Sequence, residues 1–147
     1  MAATKEFFGL HNITFKWVLE NYGEDALRDY WENMTKSCFS DIIEKFENGS
    51  IQDIKDYLEI NLIRDHAEYT TKAENDRLII DMKRCPALGY FLSSPNEYDR
   101  PAENYCAHCS VHLNGLLKKS KYHCTVKDID NEGKCTWDIS EKEKKNV

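Results

Sequence analysis

Five of the six cysteines in this 147-residue chain lie between Arg84 and Trp137, together with three of the five histidines. No other feature of the sequence limits the fold and the chemistry as much as this crowding does. It indicates a thiol-based site, and by itself it leaves open which chemistry the thiols perform. The five cysteines of this window are Cys85, Cys106, Cys109, Cys124 and Cys135.

Length and composition predict one domain over residues 1–147. A chain of this size with 41% hydrophobic residues is long enough to bury one sizeable core. The formal charge of -6 offers no basic surface for phosphate groups, so neither nucleic acid nor an anionic membrane is an expected partner. A small-molecule substrate or ligand fits better, and the oligomeric state is left open.

The sequence contains no apolar run of about 18 residues and no secretory signal at its start, which predicts a cytoplasmic protein. Glutathione and thioredoxin keep structural disulfides rare in that compartment. The six cysteines are therefore expected to be thiols, metal ligands or redox centres.

The first half of the chain has apolar residues at helical spacing. Residues 4–22 predict one helix, and an unbroken apolar stripe over residues 27–46 predicts a second and longer one. Cys38 lies on that stripe and is expected to be buried. Ser50 predicts the start of a third helix, because its hydroxyl can cap the first turn while Asp53 reaches back.

After about residue 66 the apolar period changes from 3.6 to 2, which predicts strands. The expected fold class is α+β: a helical half over about residues 4–66, then an antiparallel sheet over about 69–140 covered by a Cys-bearing helix. The charged tail, residues 141–147, is expected to fray. The expected elements of the second half are strands at 69–72, 77–84, 121–129 and 134–140, and helices at 87–92 and 102–119.

Cys106 and Cys109 form the most specific motif. They are three residues apart near the expected start of a helix, so their side chains project from nearly the same face and the unpaired amides favour a thiolate. Such a pair can hold a metal, cycle as a dithiol or supply one nucleophile. His108 and His112 are the candidate general bases.

Cys85 and Cys135 lie at strand ends and can meet Cys106 and Cys109 at the rim of the sheet. Strict alternation places Cys85 on the wrong face for this, so a bulge or the bend at Pro86 is required. The four thiols together predict a zinc site, whereas an iron–sulfur cluster is less favoured because the spacings match no common ferredoxin pattern. Cys124 is expected to be a core residue.

Glycine-rich nucleotide loops and the Gly-x-Ser-x-Gly nucleophile elbow are absent from the sequence, which disfavours nucleotide-dependent enzymes and serine hydrolases.

The order Cys85-Pro86, Tyr105-Cys106-Ala107-His108-Cys109 and Gly133-Lys134-Cys135-Thr136-Trp137 resembles the L-2-amino-thiazoline-4-carboxylic acid hydrolase-like family. The similarity covers roughly residues 78–139. It implies an α+β domain distantly like 4-vinyl-reductase ligand-binding domains, and an activity that opens a thiazoline ring by hydrolysis. The family's cysteines would correspond to Cys85, Cys106 or Cys109, and Cys135.

These observations favour a small-molecule hydrolase with a cysteine-rich pocket, acting on a carbon–nitrogen bond of a small ring or amidine. Cys106 or Cys109 would be the nucleophile or a metal ligand. The alternative is a non-catalytic module that binds zinc or another ligand. A dithiol redox protein is the third possibility, disfavoured because the βαβ context of thioredoxin-like proteins is missing.

Overall fold

The computed structural model describes residues 3–144, with side chains described from residue 5. It confirms the predicted α+β class: helices dominate the first half, and a four-stranded antiparallel sheet follows. The helices are α1 (Ala3–Tyr22), α2 (Glu24–Cys38), α3 (Ser40–Glu47), α4 (Ile51–Arg64), α5 (Pro86–Ser93) and α6 (Ala107–Leu116), with a 3-10 turn at Glu97–Asp99. The strands are β1 (Glu68–Glu74), β2 (Arg77–Arg84), β3 (Tyr122–Lys127) and β4 (Cys135–Glu141).

The sheet has the strand order β1-β2-β4-β3, so β2 and β4 lie at its centre. Apolar residues alternate along each central strand and meet across them on one face, as period-2 patterning predicts. At one end of this inner face Met82 pairs with Cys135. That register places Cys135 at the rim of the sheet, facing the helices. The other inner-face pairs of β2 and β4 are Leu78 with Ile139 and Ile80 with Trp137.

Helices α3, α4 and α6 cover the inner face and form the first core with it. The sheet is therefore covered by α4 as well as by the predicted Cys-bearing helix. Leu78, Ile80, Tyr122 and Ile139 are fully buried in this core. Since α4 contacts β1 and β2 while α6 contacts β3, the two helices share the sheet between them.

A second core joins α1, α2, α5 and the turn before α6. Phe15 of α1, Trp31 of α2 and Phe91 of α5 supply its largest buried side chains, and Tyr105 adds a fourth ring. Cys85 packs against both cores, because it lies between the end of β2 and the start of α5. The region around Cys85 is thus where the sheet meets the second helical layer.

Two expectations about the first half are wrong. The predicted helix over residues 27–46 breaks at Phe39, whose backbone (φ -126, ψ 27) leaves the helical region and separates α2 from α3. Cys38, expected to be buried, is exposed at the end of α2. The predicted cap at Ser50 is confirmed: its hydroxyl accepts from the Asp53 amide at 3.2 Å while its own amide donates to the Asp53 carboxylate at 2.8 Å.

The predicted fraying from residue 141 begins too early. Glu141 is the last residue of β4, and the Lys142 amide donates to the Lys121 carbonyl at 2.7 Å. Residues 145–147 of that tail lie outside the described residues. Among residues 3–144, none of the helices is long and apolar enough to cross a bilayer.

Candidate functional site

A small cleft opens where the starts of α5 and α6 meet the rim of the sheet at the start of β4. Its cavity measures ≈ 30 Å³, enough for one or two water-sized groups. Four cysteines contribute to its walls, and most of the other lining residues are apolar. The lining residues are Met82, Cys85, Leu88, Tyr105, Cys106, Cys109, Val126, Ile129, Gly133, Lys134, Cys135 and Trp137.

Cys85 reaches the cleft through the bend at Pro86. Strand β2 ends at Arg84, and Cys85 (φ -67, ψ 123) leads into α5, where Pro86 occupies the first turn. A proline fits there because the first helical amides have no partner within the helix. The bend turns the Cys85 side chain away from the strand's outward alternation. The Cys85 amide donates to the Gly133 carbonyl at 2.8 Å, which ties the β3–β4 loop to the same spot.

Gly133 is required at this contact for two reasons. Its φ of +114° is rarely adopted by residues with a side chain, and a Cβ there would lie 3.3 Å from the Cys85 amide nitrogen. The loop between β3 and β4 can therefore approach the Cys85 backbone closely enough to form one wall of the cleft.

Cys106 and Cys109 lie at the start of α6, which begins later than the sequence predicts. The expected helix over residues 102–119 is wrong at both ends, since α6 runs from Ala107 to Leu116 and turns precede and follow it. Cys106 is the residue that precedes the helix, and Cys109 lies in its first turn. Asn104 (φ +58°) turns the backbone ahead of them.

Asn12 of α1 holds the segment that leads into this turn. Its buried side-chain amide donates to the Arg100 carbonyl at 2.8 Å, and its carbonyl oxygen accepts from the Ala102 amide at 2.7 Å. Both polar groups of Asn12 are therefore satisfied, as burial requires. The one sign of this role in the sequence is a polar residue on an otherwise apolar helix face. The sequence did not lead us to predict the role of Asn12.

Asn114 fixes the other end of α6 to the sheet in the same way. Its amide nitrogen donates to the Cys124 carbonyl and its oxygen accepts from the Cys124 amide, at 2.9 and 2.8 Å. The side chain thereby pairs with β3 as a neighbouring strand would. Cys124 itself is buried in the first core, as expected, and does not line the cleft.

Burial raises the pKa of every thiol in the cleft. The pKa of Cys106 and of Cys109 rises to about 11, and that of Cys135 rises to about 12, because the low-polarity surroundings penalise the thiolate. Neighbouring thiols add to the rise at Cys106 and Cys135. The pKa of Cys85 also rises through burial, although the amides at the start of α5 oppose it. All four thiols are thus protonated at neutral pH.

His108 is the histidine that contacts a cleft thiol. Its Nδ1 faces the Tyr105 carbonyl, and since a carbonyl only accepts, this nitrogen carries the proton of the neutral ring. Nε2 is then an acceptor, and it lies 3.8 Å from the Cys109 sulfur. The rings of Phe15, Trp31 and Tyr105 surround His108 at centroid distances of 5.5, 6.1 and 4.6 Å. Burial among them lowers the pKa of His108.

His112, the other candidate base, lies away from the cleft. Its Nδ1 is 2.8 Å from the Thr35 hydroxyl, and its ring packs edge-on against Phe39 at 4.8 Å. Burial lowers its pKa to about 4. The hydrogen bond joins α6 to α2, and His112 does not line the cleft.

The four thiols share a cleft without forming a coordination sphere. Among residues 3–144, no group of three or more histidine, cysteine or acidic side chains is arranged to hold a metal ion. The cysteines that the structure describes are all free thiols. The predicted zinc centre at Cys85, Cys106, Cys109 and Cys135 therefore has no support from this geometry, and neither it nor an iron–sulfur cluster goes beyond a prediction.

Trp137 brings an unpartnered donor to the cleft wall. Its buried indole N–H has no hydrogen-bond acceptor among the described residues, and it lies beside Cys135, where it partly offsets the rise in the thiol's pKa. A buried donor without a partner is uncommon and costs free energy.

Neither the models of known protein families nor the curated proteins match this chain. The resemblance to the thiazoline-carboxylate hydrolase-like family stays a prediction.

Proposed function

We propose that the cleft is a small-molecule site at which Cys109 attacks a carbon–nitrogen bond, with His108 as the general base. The contact between His108 Nε2 and the Cys109 sulfur carries this proposal. The Cys106–His112 segment contains two candidate thiols and two candidate histidines, and this contact joins one of each. The reaction class is hydrolysis of a small ring or an amidine.

The protonation states support a base-assisted attack. Because the pKa of Cys109 is about 11, the thiol holds its proton at neutral pH, and a base must remove that proton as the sulfur attacks. His108 can accept it, since burial keeps the ring neutral and the Tyr105 carbonyl holds its other nitrogen.

The proposed reaction balances without a further reactant except water. The Cys109 sulfur forms a bond to the amidine carbon while its proton moves to His108 Nε2. The carbon–nitrogen bond then breaks, and the same proton passes to the departing nitrogen. Water attacks the resulting thioimidate, giving one proton to His108, which returns it to the Cys109 sulfur as the carbon–sulfur bond breaks and an amide is released.

The size and lining of the cleft limit the substrate. A cavity of ≈ 30 Å³ admits the reacting group rather than a whole drug-sized ligand. The remainder of the substrate would lie toward Ile129 and Lys134, both of which are exposed.

The experiment uses chloroacetamidine, an amidine that alkylates thiols, with peptide mapping by mass spectrometry. Cys38 is exposed and would react first, so the Cys38→Ala background is used throughout. We expect Cys109 to be modified ahead of the other cleft thiols. In this background, His108→Gln should slow the modification at least about tenfold, whereas His112→Gln should leave the rate unchanged.

Turnover is then measured on small cyclic amidines and thiazolines by the appearance of the ring-opened product. Cys109→Ala should abolish it, and Cys124→Ala, which alters a thiol outside the cleft, should retain it. Full turnover by Cys109→Ala, or equal alkylation rates in the two histidine variants, would contradict the proposal.

The second candidate is a non-catalytic module that binds zinc or another ligand. The grouping of four free thiols around one cleft favours it, although zinc binding would require the side chains to leave the described geometry. Elemental analysis of the freshly purified protein tests this directly. A stoichiometric metal, together with a lower melting temperature after chelation, would favour the module over the thiol nucleophile.

The cytoplasm is the proposed location. This location fits the proposed chemistry, because Cys109 can act as a nucleophile only while its thiol is reduced, and a reducing compartment keeps it so.

A further inference from the structure

A run of hydrogen bonds leads from α1 to the proposed general base. The Asn12 side-chain oxygen accepts from the Ala102 amide at 2.7 Å, and the Ala102 carbonyl accepts from the Tyr105 amide at 3.0 Å. The Tyr105 carbonyl then accepts from the His108 amide at 3.2 Å and from Nδ1–H of the same residue. Ala102 and Tyr105 thus each donate with the amide and accept with the carbonyl, which joins α1 to the His108 ring in successive steps.

We propose that Asn12 is a positioning residue for His108, an inference that rests on the function proposed above. By holding the backbone of residues 102–105 in place, Asn12 keeps the Tyr105 carbonyl against Nδ1. The imidazole proton then stays on Nδ1, and Nε2 is free to accept the proton of Cys109. Asn12 does not line the cleft, and its own hydrogen bonds go to the backbone of residues 100 and 102, so it acts through that backbone.

The segment between α5 and α6 requires an anchor of this kind. Residues 94–106 form turns and extended backbone around the 3-10 turn at Glu97–Asp99, and the backbone hydrogen bonds donated within residues 99–106 join residues three apart in the chain. Such bonds shape each turn without fixing its place in the fold. The Tyr105 ring packs in the second core, but apolar packing is non-directional, whereas hydrogen bonds orient the groups that they join. Asn12 supplies two such bonds from a position that is 0% exposed.

The Tyr105 carbonyl decides which nitrogen of His108 carries the proton. The hydrogen bond made by one ring nitrogen of a neutral histidine selects the tautomer, and a carbonyl selects the protonated nitrogen. If the carbonyl moves away from Nδ1, the proton can shift to Nε2. Nε2 would then be a donor toward the Cys109 sulfur and could not accept the thiol proton. Replacing Asn12 should therefore impair the base without changing any residue of the cleft wall.

Nitrogen-15 NMR of the histidine-labelled protein at neutral pH tests the positioning without measuring activity. We expect His108 to carry its proton on Nδ1 in the wild-type chain, and Asn12→Ala to increase the fraction protonated on Nε2. The matched control is Lys16→Ala, because Lys16 lies on the same helix and donates to the Tyr98 carbonyl of the same segment at 3.2 Å, in an exposed contact. An unchanged tautomer in Asn12→Ala, or an equal change in Lys16→Ala, would overturn the proposal.

A double-mutant cycle tests whether Asn12 acts through His108. The rate measured is the alkylation of Cys109 by chloroacetamidine in the Cys38→Ala background. We expect Asn12→Ala to slow it at least about threefold when His108 is present, and to have little effect once His108→Gln has removed the base. Equal slowing in both cases would show a general effect on the cleft and overturn the positioning role. If His108→Gln leaves the rate unchanged, the proposed general base fails, and the tautomer measurement alone decides the role of Asn12.

Circular dichroism and urea denaturation verify that each variant is folded under the assay conditions. Where Asn12→Ala is unfolded, Asn12→Ser takes its place. The serine hydroxyl is too short to bridge the Arg100 carbonyl and the Ala102 amide as the Asn12 amide does. We expect the same changes in tautomer and in alkylation rate, and a folded Asn12→Ser chain that shows neither change would overturn the proposal.

Discussion

His108 and Cys109 are adjacent in sequence, and they meet through a side-chain contact of 3.8 Å between Nε2 and the sulfur. The contact depends on the Tyr105 carbonyl, which holds the opposite ring nitrogen. The backbone turn that precedes α6 therefore sets the orientation of His108, and the first turn of α6 sets the position of the Cys109 thiol. The pair links the cleft to the aromatic side chains of the second core.

The raised thiol pKa values predict a loss of stability in alkali. Cys109 and Cys135 have folded-state pKa values of about 11 and about 12, above the ordinary value of 9.0. The unfolded chain thus releases these protons at lower pH than the folded chain does. The two thiols therefore contribute fully to the free energy of unfolding below pH 9, and this contribution is lost as the pH rises toward 12. Urea denaturation across this range measures it, and Cys135→Ala should flatten the decline relative to Cys38→Ala.

His112 predicts a loss of stability in acid. Burial lowers its folded-state pKa to about 4 from the ordinary value of 6.5. Between these two pH values the unfolded chain therefore binds a proton that the folded chain does not bind. The stabilising contribution is present above pH 6.5 and is lost as the pH falls through 4; it amounts to at most about 3 kcal/mol. His112→Gln should remove most of this dependence. His66→Gln serves as the comparison, since His66 lies outside α6, and an identical acid profile in both variants would contradict the assignment.

Replacing Asn114 by alanine should loosen α6 from the sheet. The substitution removes two hydrogen bonds to the Cys124 backbone, which we expect to cost about 1–3 kcal/mol of unfolding free energy. Asn33→Ala is the matched control, because that exposed amide bonds only to the Asp29 carbonyl one turn earlier. Chemical denaturation compares the two. Equal losses would show that the contact between Asn114 and β3 does not stabilise the fold.

Gly133→Ala should disturb the wall of the cleft. The new methyl group would meet the Cys85 amide at 3.3 Å in a backbone conformation that alanine rarely adopts, and we expect a loss of about 2 kcal/mol. Gly23→Ala shares the positive φ (+88°) but has no heavy atom within 4 Å of the added Cβ. The difference between the melting temperatures of the two variants measures the effect of the close contact between residue 133 and the Cys85 amide. The alkylation rate of Cys85 should rise only in Gly133→Ala.

The sequence predicted elements well where periodicity and capping act locally. The cap of Ser50 and Asp53 and the short helix after Pro86 were both foreseen from residue types alone. The break at Phe39 was not, because α2 and α3 continue the same apolar spacing and only the backbone angles of one residue separate them. Cys38 is the last residue of α2 before this break, and it is exposed there.

The candidate site was predicted in part. The sequence predicted that Cys85 and Cys135 lie at strand ends near Cys106 and Cys109, and that Cys85 needs a bulge or the bend at Pro86 to join them. The pairing of Cys135 with Met82 across β4 and β2 was not predicted. The choice between His108 and His112 was beyond the sequence, since both lie in α6 and only their contacts differ. The same holds for Asn12, whose partners lie 88 and 90 residues away.

The two hydrogen bonds of Asn12 also constrain the order of folding. They join the first helix to a segment 88 and 90 residues further along the chain. During synthesis Asn12 emerges long before Arg100 and Ala102, and its amide stays hydrated until they arrive. Closing such a long loop is slow compared with forming a helix. We therefore expect the approach to α6, and the cleft beside it, to assemble after α1 has formed.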